Sequence, residues 1–151
     1  DIKPSDNYFN ELFRVSKNQI VWGANNFIMP PSEYFLIWNK MQTVDNFATA
    51  EYAWVSMGLK KPAKMFNYGI HKHNHTDKIH PTQKPIDLYK WILDKYAKEG
   101  DKILDTHLGS GSIAIACHDY KYELTACELD PEYFEKAKQR IINHVAQQSL
   151  F

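Results

Sequence analysis

The feature that most constrains the fold is a glycine turn between a short strand and a helix in the second half of the chain. Lys102 to Asp105 has the pattern of a strand, Leu108-Gly109-Ser110-Gly111-Ser112 follows as the turn, and Ile113 to Tyr120 has helical spacing. Such a turn brings backbone N–H groups and the positive end of a helix to one point. Glycine is needed because a Cβ would block the ligand or the turn's backbone angles. We therefore expect an anionic or strongly polar ligand here.

A carboxylate, Glu128, follows the turn at a separation along the sequence that is typical of nucleotide-binding folds. Glu123 to Cys127 is predicted to be a second strand, and Glu128 ends it, 23 residues after Asp105. At that separation a carboxylate can accept hydrogen bonds from both hydroxyls of a ribose. The unit therefore predicts a site for a cofactor that contains adenosine.

The order of elements in the second half predicts an α/β fold. Apolar residues at positions 86, 89, 92, 93 and 96 share one helical face between Pro85 and Gly100, and Asp130 and Pro131 begin a last helix that reaches Val145. Helix, strand, turn, helix, strand and helix in succession are typical of a doubly wound, mostly parallel, Rossmann-like sheet.

The first half has a mixed pattern. Ser5 to Val15 is predicted to be an amphipathic helix, and three short apolar runs are predicted to be buried strands: Gln19 to Trp22, Tyr34 to Trp38 and Glu51 to Ser56. Met57 to Ile79 has scattered glycine, proline and lysine without a sustained period. It is predicted to be a hairpin or a long loop.

Length and composition favour a single domain, 1–151. The chain has 151 residues and is 44% hydrophobic, enough for one core. Cys117 and Cys127 stand alone in apolar stretches, which argues against a disulfide framework or a thiolate metal site and suggests a reducing compartment. Neither a membrane span nor a signal peptide is evident. We expect a soluble, cytoplasmic protein with no membrane partner.

The charge of the chain is unevenly distributed, although the net charge is zero. Residues 57–80 carry five lysines and one aspartate, a net +4, between two flanks of −2 each. A polyanion would dock on such a stretch. A solvated lysine-rich loop explains the same composition.

A hexapeptide before the predicted helix at 86 makes the interpretation specific. His80-Pro81-Thr82-Gln83-Lys84-Pro85, followed by the helix and then by Leu104 to Ser112, resembles the paired cofactor motifs of amino-directed DNA methyltransferases of the β type. The likeness runs from Tyr8 to about Val145 and includes the order of the motifs. It implies the fold of S-adenosylmethionine-dependent methyltransferases, with S-adenosylmethionine as the cofactor.

The resemblance also assigns cofactor-binding residues. Those implied to surround the methionine and sulfonium end are Asp105, His107, Gly109 and Gly111. Thr82 and Lys84 would hold the cofactor's carboxylate, and Glu128 would hold the ribose. The chain has Asp105-Thr106-His107 where family members more often have Asp-Pro-Phe.

The same resemblance implies DNA as the substrate. Residues 1–56 would be the remainder of the catalytic half, 57–80 the target-recognition region and 81–151 the cofactor-binding half. The partner would be double-stranded DNA with a flipped target base, methylated at adenine N6 in preference to cytosine N4, as in restriction–modification systems. A homodimer is left open. The DNA-contacting residues expected in the basic stretch are Lys60, Lys61, Lys64, Lys72, His71, His73 and His75.

The catalytic motif of the family is not found in the sequence. Family members hold the target amine with Asp, Asn or Ser, then Pro-Pro and an aromatic residue. Met29-Pro30-Pro31-Ser32 lacks the polar acceptor and the aromatic, and Asp130-Pro131-Glu132-Tyr133 is better explained as a helix start. In the β-type order the motif would precede Asp1. The catalytic residues are therefore expected outside this chain.

Other interpretations of the same residues are open. Gly109, Gly111, Ala114 and Glu128 also fit a dinucleotide-dependent oxidoreductase, and a catalytically inactive cofactor- or DNA-binding module is a further alternative. Alternating histidines from His71 to His80 suggest zinc, but no cysteine is near them and methyl transfer needs no metal, so no metal is expected.

Aromatic and amide residues in the first half have ordinary explanations as well. The four tryptophans lie in apolar runs and are expected in the core. Asn25 and Asn26 follow a strand end, where they would border the target-base pocket or simply form a turn.

Overall fold

A four-stranded sheet and a two-stranded sheet organise the chain in this computed structural model, which describes residues 3–74 and 78–150. The chain divides into two compact units, residues 1–70 and 71–151, and each unit contains one of the sheets. The assignment of the whole chain to a single domain stays a prediction.

The first unit has one helix of ten residues and four strands. Helix α1 begins after Ser5, whose hydroxyl accepts the backbone N–H of Tyr8 at 3.4 Å as an N-cap. The elements are α1 (Asp6–Val15), β1 (Ile20–Trp22), β2 (Phe35–Asn39), β3 (Ala50–Val55) and β4 (Lys64–Asn67), with short 3₁₀ turns at Ala24–Asn26 and Met57–Leu59. The predicted helix and three apolar strands are confirmed to within two residues at each end.

The sheet of the first unit is mixed. Its strand order is β1-β3-β2-β4, in which β3 is antiparallel to both β1 and β2, and only β2 and β4 are parallel. The expectation of a mostly parallel sheet is therefore wrong for this unit. The long connection between β2 and β3 returns the chain in the opposite direction, and a hairpin needs no helical crossover.

Buried aromatic and aliphatic side chains explain why β2 and β3 form. Leu36, Trp38, Ala53 and Val55 are each at most 1% exposed. Trp54 is also buried and donates its indole N–H to the carbonyl of Pro30 at 2.8 Å. Trp38 and Trp54 thus have the core positions expected of them, and each indole nitrogen has a hydrogen-bond partner.

Part of the segment predicted to be a hairpin or a long loop has regular structure, although its strand does not form a hairpin. Strand β4 pairs with β2 from Leu36↔Lys64 to Asn39↔Asn67, and a short helix α2 spans Ile70–Asn74. The composition gave no sign of β4, because its four residues alternate between half-buried and exposed positions and include a lysine and an asparagine. β4 forms because its backbone hydrogen-bonds to that of β2, and a sequence pattern of side chains does not reveal such pairing.

The second unit contains α3 (Ile86–Tyr96), β5 (Lys102–Asp105), α4 (Ser112–Tyr120), β6 (Glu123–Ala126) and α5 (Pro131–Gln148). β5 and β6 are parallel, in register from Lys102↔Glu123 to Asp105↔Ala126. Helix α4 connects them, as expected of a βαβ unit. The core is built from Leu93 of α3 with Ala116 and Cys117 of α4, and partly buried Ile103 and Leu124 pack on it from the strands.

An ion-pair network ties three helices of this unit together. Asp119 of α4 accepts Nζ of Lys90 at 2.8 Å, Nε2 of His144 at 2.7 Å and Nε2 of Gln148 at 2.7 Å. Burial alone would raise the pKa of Asp119, but the hydrogen bonds from Lys90, His144 and Gln148 outweigh it and lower the pKa to about 2. Asp119 is therefore ionised at neutral pH and links α3, α4 and α5.

A helix that spans a bilayer needs roughly 20 consecutive, predominantly apolar residues. None of the helices within residues 3–74 and 78–150 is both long and apolar enough to span one.

Candidate functional site

The glycine turn lies directly after β5, as predicted. Gly109 and Gly111 have φ values of +55° and +78°, in the left-handed region that favours glycine. The backbone N–H of Leu108 donates to the carbonyl of Cys127 at 2.9 Å, and that of Cys127 donates to the carbonyl of Asp105 at 2.9 Å. These bonds extend the pairing of β5 with β6 and fix the turn beside the end of β6.

Glu128 closes the turn from the other strand. Its Oε2 accepts the backbone N–H of Gly109 at 2.7 Å, and its Oε1 accepts that of Asp130 at 3.0 Å. Partial burial would raise the pKa of Glu128, but hydrogen bonds from the backbone of Asp130 and Gly109 outweigh it and hold the pKa below its ordinary value. An ionised, half-buried carboxylate with a fixed orientation therefore lies beside the turn.

Asp105, at the end of β5, is a second carboxyl group in this neighbourhood. Burial raises its pKa above the ordinary value, while the hydrogen bond from the backbone N–H of His107, at 3.0 Å, and the positive charge of Lys84 oppose the rise. The charge of Glu128 raises the same pKa further. Lys84 and Glu128 are thus each close enough to Asp105 to shift its pKa, and the cofactor roles assigned to the three residues stay predictions.

The hexapeptide that led to the resemblance is folded on itself. The backbone N–H of Gln83 donates to the carbonyl of His80 at 3.1 Å, and the side chain of Gln83, 5% exposed, accepts the N–H of Ile79 at 3.0 Å. Lys84 is half-buried and Thr82 is exposed. The segment therefore presents Thr82 and Lys84 from an internally braced turn.

His80 and Tyr133 are two residues to which the sequence assigned no cofactor role. The ring of His80 lies 3.8 Å from the position that a Cβ on Gly109 would occupy. Its centroid is 4.4 Å from that of Tyr133, in the first turn of α5. No sequence signal indicated this contact, since the two rings are more than 50 residues apart.

Arg140 is a further residue that the sequence interpretation missed. Its guanidinium donates to the carbonyl of Ser110 at 3.0 Å and to the hydroxyl of Ser112 at 2.9 Å. Both serines are at most 4% exposed. Helix α5 therefore stabilises the glycine turn through the hydrogen bonds of the Arg140 guanidinium.

Gly111 faces this helix as well. A Cβ at Gly111 would lie 3.3 Å from Cβ of Ala137 and 3.3 Å from Cδ1 of Ile141. The close approach that requires glycine here is therefore an approach to α5. Contact between Gly111 and a cofactor stays a prediction.

His107 and Thr106 occupy the position where the sequence departs from the family's usual residues. His107 is exposed, and its Nδ1 lies 3.0 Å from the hydroxyl of Thr106. The two side chains are thus within hydrogen-bond distance of each other just before the glycine turn. The cofactor-binding role assigned to His107 stays a prediction.

The residues expected to contact DNA have different environments. Lys60 and Lys61 are exposed and Lys64 is half-buried in β4, all in the first unit, while His71 and Lys72 are exposed in the second. His75 lies outside the described residues.

The side chain of His73 is buried, unlike those of His71 and Lys72. It is 2% exposed, and its Nε2 donates to the carbonyl of Gln83 at 2.6 Å. The expectation that His73 reaches toward base edges is wrong, because the imidazole is buried and braces the hexapeptide.

The first unit contains an open pocket of about 420 Å³ near the end of β1. Its walls include the aromatic side chains of Phe27, Tyr52 and Trp54 together with Asn25 and Ser32. Asn26 instead donates to the carbonyl of Gly23 at 3.0 Å, the turn-forming role that was its alternative explanation. Within the described residues, no group of three histidine, cysteine or acidic side chains is arranged to hold a metal ion.

Comparison with known proteins gives three kinds of match. A sequence model of the N6/N4 methyltransferase family, described as DNA methylase, matches residues 3–139. The Type II methyltransferase M.HpaI of Haemophilus parainfluenzae is 33% identical over 81 residues, 53% of this chain and 26% of that protein. The Type II methyltransferase M2.DpnII of Streptococcus pneumoniae is 25% identical over 138 residues, 91% of this chain and 47% of that protein.

Solved structures share the fold. The M1.HpyAVI–SAM complex superposes with a TM-score of 0.55 at 24% identity, over 70% of this chain and 60% of that one. A putative DNA modification methylase of Thermus thermophilus, complexed with S-adenosyl-L-methionine, superposes with a TM-score of 0.50 at 20% identity, over 74% of this chain and 53% of that one. The predicted α/β methyltransferase class is confirmed. The chain spans between about a quarter and about half the length of these curated relatives.

Proposed function

The chain belongs to the DNA methylase family, and from this premise we propose that it binds S-adenosylmethionine for a site-specific methyltransferase acting on an exocyclic amine of a DNA base. The acceptor we propose is adenine N6 in preference to cytosine N4, because the sequence resembles adenine-directed members more closely. The proposed compartment is the cytoplasm.

The observation that carries this proposal is the carboxylate of Glu128 fixed beside the glycine turn. Its two oxygens are oriented by backbone N–H groups at 2.7 and 3.0 Å, and each oxygen keeps lone-pair capacity for a further donor. The two hydroxyls of a ribose are donors of the required kind. The group also remains ionised at neutral pH because its pKa is lowered.

The opposite end of the cofactor would meet charges of both signs. Lys84, with the hydroxyl of Thr82, supports binding of the cofactor's carboxylate, and Asp105 supports binding of its cationic part. A cationic ligand beside this half-buried carboxyl group would favour its ionised form and so oppose the rise in pKa that burial causes.

When bound, S-adenosylmethionine supplies an electrophilic methyl group. The residues of this chain would bind and orient it: Glu128 at the ribose, and Lys84, Thr82 and Asp105 at the amino-acid end. The sequence contains no Asp/Asn/Ser-Pro-Pro-aromatic run, and we therefore propose cofactor binding, without catalysis by this chain alone, as the role of the described residues.

We propose the pocket of the first unit as the place for the flipped base. Aromatic walls from Phe27, Tyr52 and Trp54 offer stacking surfaces, and the amide of Asn25 offers both a donor and an acceptor. Phosphate contacts are proposed for Lys60, Lys61 and Lys64 of the first unit and, separately, for Lys72 and His71 of the second. The proposed partner is double-stranded DNA. A homodimer is a second proposed assembly.

Isothermal titration calorimetry of the 151-residue chain tests the cofactor proposal. S-adenosylmethionine and S-adenosylhomocysteine should both bind, whereas NAD should not. Binding of NAD with no response to either methionine-derived ligand would favour a dinucleotide-dependent enzyme and overturn the proposal. Measurement of the molar mass in solution by light scattering would decide whether a homodimer forms.

A further inference from the structure

His80 lies where the hexapeptide meets the glycine turn. Its Cγ and Cδ2 are the atoms nearest to the position that a Cβ on Gly109 would occupy, both at 3.8 Å, so the ring faces the side of Gly109 that has no side chain. The ring of Tyr133 contacts the same imidazole, with 4.4 Å between centroids and 54° between planes. His80 therefore lies beside Gly109, with room for a methyl group between them, and packs against Tyr133 of α5.

The hydrogen bonds of His80 fix which of its nitrogens carries the proton. Nδ1 accepts the backbone N–H of Thr82 at 3.2 Å and lies 3.1 Å from the hydroxyl of the same residue. A backbone N–H can only donate, so Nδ1 is the acceptor and the neutral ring carries its proton on Nε2. The imidazole thus accepts a hydrogen bond from Thr82 at Nδ1, contacts the ring of Tyr133 and faces Gly109.

Gly109 is also the residue whose N–H donates to Glu128 at 2.7 Å. A glycine with φ of +55° and no side chain has many other conformations available to it. The ring that faces it excludes those conformations that would move its backbone into the imidazole, and so favours the direction in which its N–H donates to Glu128. Less of the free energy of binding is then spent on ordering the turn when a ligand arrives.

We propose that His80 is a positioning residue of the cofactor site, which holds Gly109 and Glu128 in binding geometry and links them to the segment bearing Thr82 and Lys84. The inference rests on the proposed binding of an adenosyl ligand. It goes beyond that proposal by assigning a role to a histidine beside the turn and to Tyr133, which packs against that histidine.

The primary test uses two ligands that share the ribose: S-adenosylhomocysteine and 5′-methylthioadenosine, which lacks the amino-acid end. His80→Ala should weaken both by a similar factor, about tenfold. In a Glu128→Ala background the same substitution should have little further effect, because His80 acts through that carboxylate. His118→Ala is a matched control on α4, and it should leave both affinities unchanged.

Two conservative variants separate the parts of the side chain. His80→Asn retains an acceptor for the N–H of Thr82 but loses the ring, and His80→Phe retains the ring but loses the acceptor. Each should recover part of the affinity lost in His80→Ala. A side chain that only stabilises the fold would lower the melting temperature without this ribose-specific pattern.

The outcomes distinguish this inference from the proposed function. If the wild-type chain binds neither ligand, the proposed function fails and the inference falls with it. If the wild-type chain binds, but His80→Ala stays within about twofold or adds independently to Glu128→Ala, only the inference is overturned. Should His80→Ala not fold, unchanged affinity in both His80→Asn and His80→Phe would overturn it equally.

Discussion

Gly109 donates its backbone N–H to Oε2 of Glu128 at 2.7 Å, so the turn after β5 and the residue after β6 hold each other in place. Oε1 of the same carboxylate accepts the N–H of Asp130, which begins α5. The turn after β5, the end of β6 and the start of α5 are thereby joined at one carboxylate. A ribose arriving there would meet a group that is already oriented, which lowers the entropic cost of binding.

Replacement of this carboxylate should weaken cofactor binding more than it weakens the fold. Glu128→Ala is expected to reduce the affinity for S-adenosylmethionine by about 2 kcal/mol, the scale for loss of hydrogen bonds to a charged group. Calorimetric titration measures the effect. Glu135→Ala, at an exposed position of α5, is the control and should bind like the wild-type chain. Equal affinities for the two variants would show that the ribose is held elsewhere.

Gly111 should matter for stability through its contact with α5. An added Cβ would lie 3.3 Å from two side-chain atoms of that helix, and φ is +78°. Gly111→Ala is therefore expected to lower the free energy of unfolding by about 2 kcal/mol, from backbone strain and overpacking together. Urea denaturation measures this.

Gly100→Ala is the matched control for Gly111, because Gly100 has φ of +86° but no atom within 4 Å of the added Cβ. Its cost should be that of backbone strain alone, about 1 kcal/mol. If both substitutions lower the free energy of unfolding equally, the packing of Gly111 on α5 does not contribute to stability.

The sequence predicted the second unit well, because its boundaries are marked locally. The strand at Lys102–Asp105 matches its predicted limits, and α4 and α5 begin within one residue of the glycine turn and of Asp130–Pro131 respectively. Glu128 likewise lies beside the turn, where its spacing to Asp105 placed it, while its contact with a ribose stays a prediction. In each case a turn residue, a cap or a fixed separation along the chain carried the signal.

Other features could not be predicted, because they depend on residues far apart in sequence. Arg140 reaches Ser112 across 28 residues, and the environment of Gly111 depends on Ala137. The pattern of β4 contains too few apolar residues to reveal a strand that exists through its pairing with β2. His73 lies in a polar, basic stretch of sequence, which predicts an exposed side chain. It is buried because its imidazole hydrogen-bonds to the carbonyl of Gln83, ten residues away.

Arg140 should support both stability and ligand binding. Arg140→Met retains much of the apolar stem but removes the donors to Ser110 and Ser112, two buried residues. The expected loss in free energy of unfolding is about 2 kcal/mol, since buried acceptors are left unpaired. Affinity for S-adenosylmethionine should fall as well, because the turn is less ordered. Lys138→Met, at an exposed position on the same helix, should change neither quantity in urea denaturation and calorimetry.

Asp119 should make the stability of the second unit depend on pH in the acidic range. Its folded pKa of about 2 lies below the ordinary 3.8, so the stabilisation is fully present above the ordinary value and is lost as the pH falls through about 2. Asp119→Asn should reduce the free energy of unfolding on the order of 2 kcal/mol near neutral pH and progressively less below about pH 4. A difference that stays constant over that range would contradict the assigned ionisation.

The lysines of the first unit provide the test of DNA binding. Lys60 and Lys61 are exposed and Lys64 is half-buried. Lysines that neutralise phosphates release condensed counterions, so each one removed should lower the magnitude of the salt dependence of affinity by about one. The triple replacement of all three by alanine should therefore weaken binding to every duplex similarly and flatten that dependence. Affinity for S-adenosylmethionine should be unchanged.

The control for this triple variant changes three exposed lysines outside the basic stretch, Lys17, Lys98 and Lys138, and alters the net charge equally. Fluorescence anisotropy of labelled duplexes over a salt series measures both variants, on the 151-residue chain and on any longer natural protein that contains it. If the two triple variants lose DNA affinity equally, only the overall charge matters. If neither loses affinity or salt dependence, residues 57–80 are a solvated basic segment, and DNA must bind through other residues.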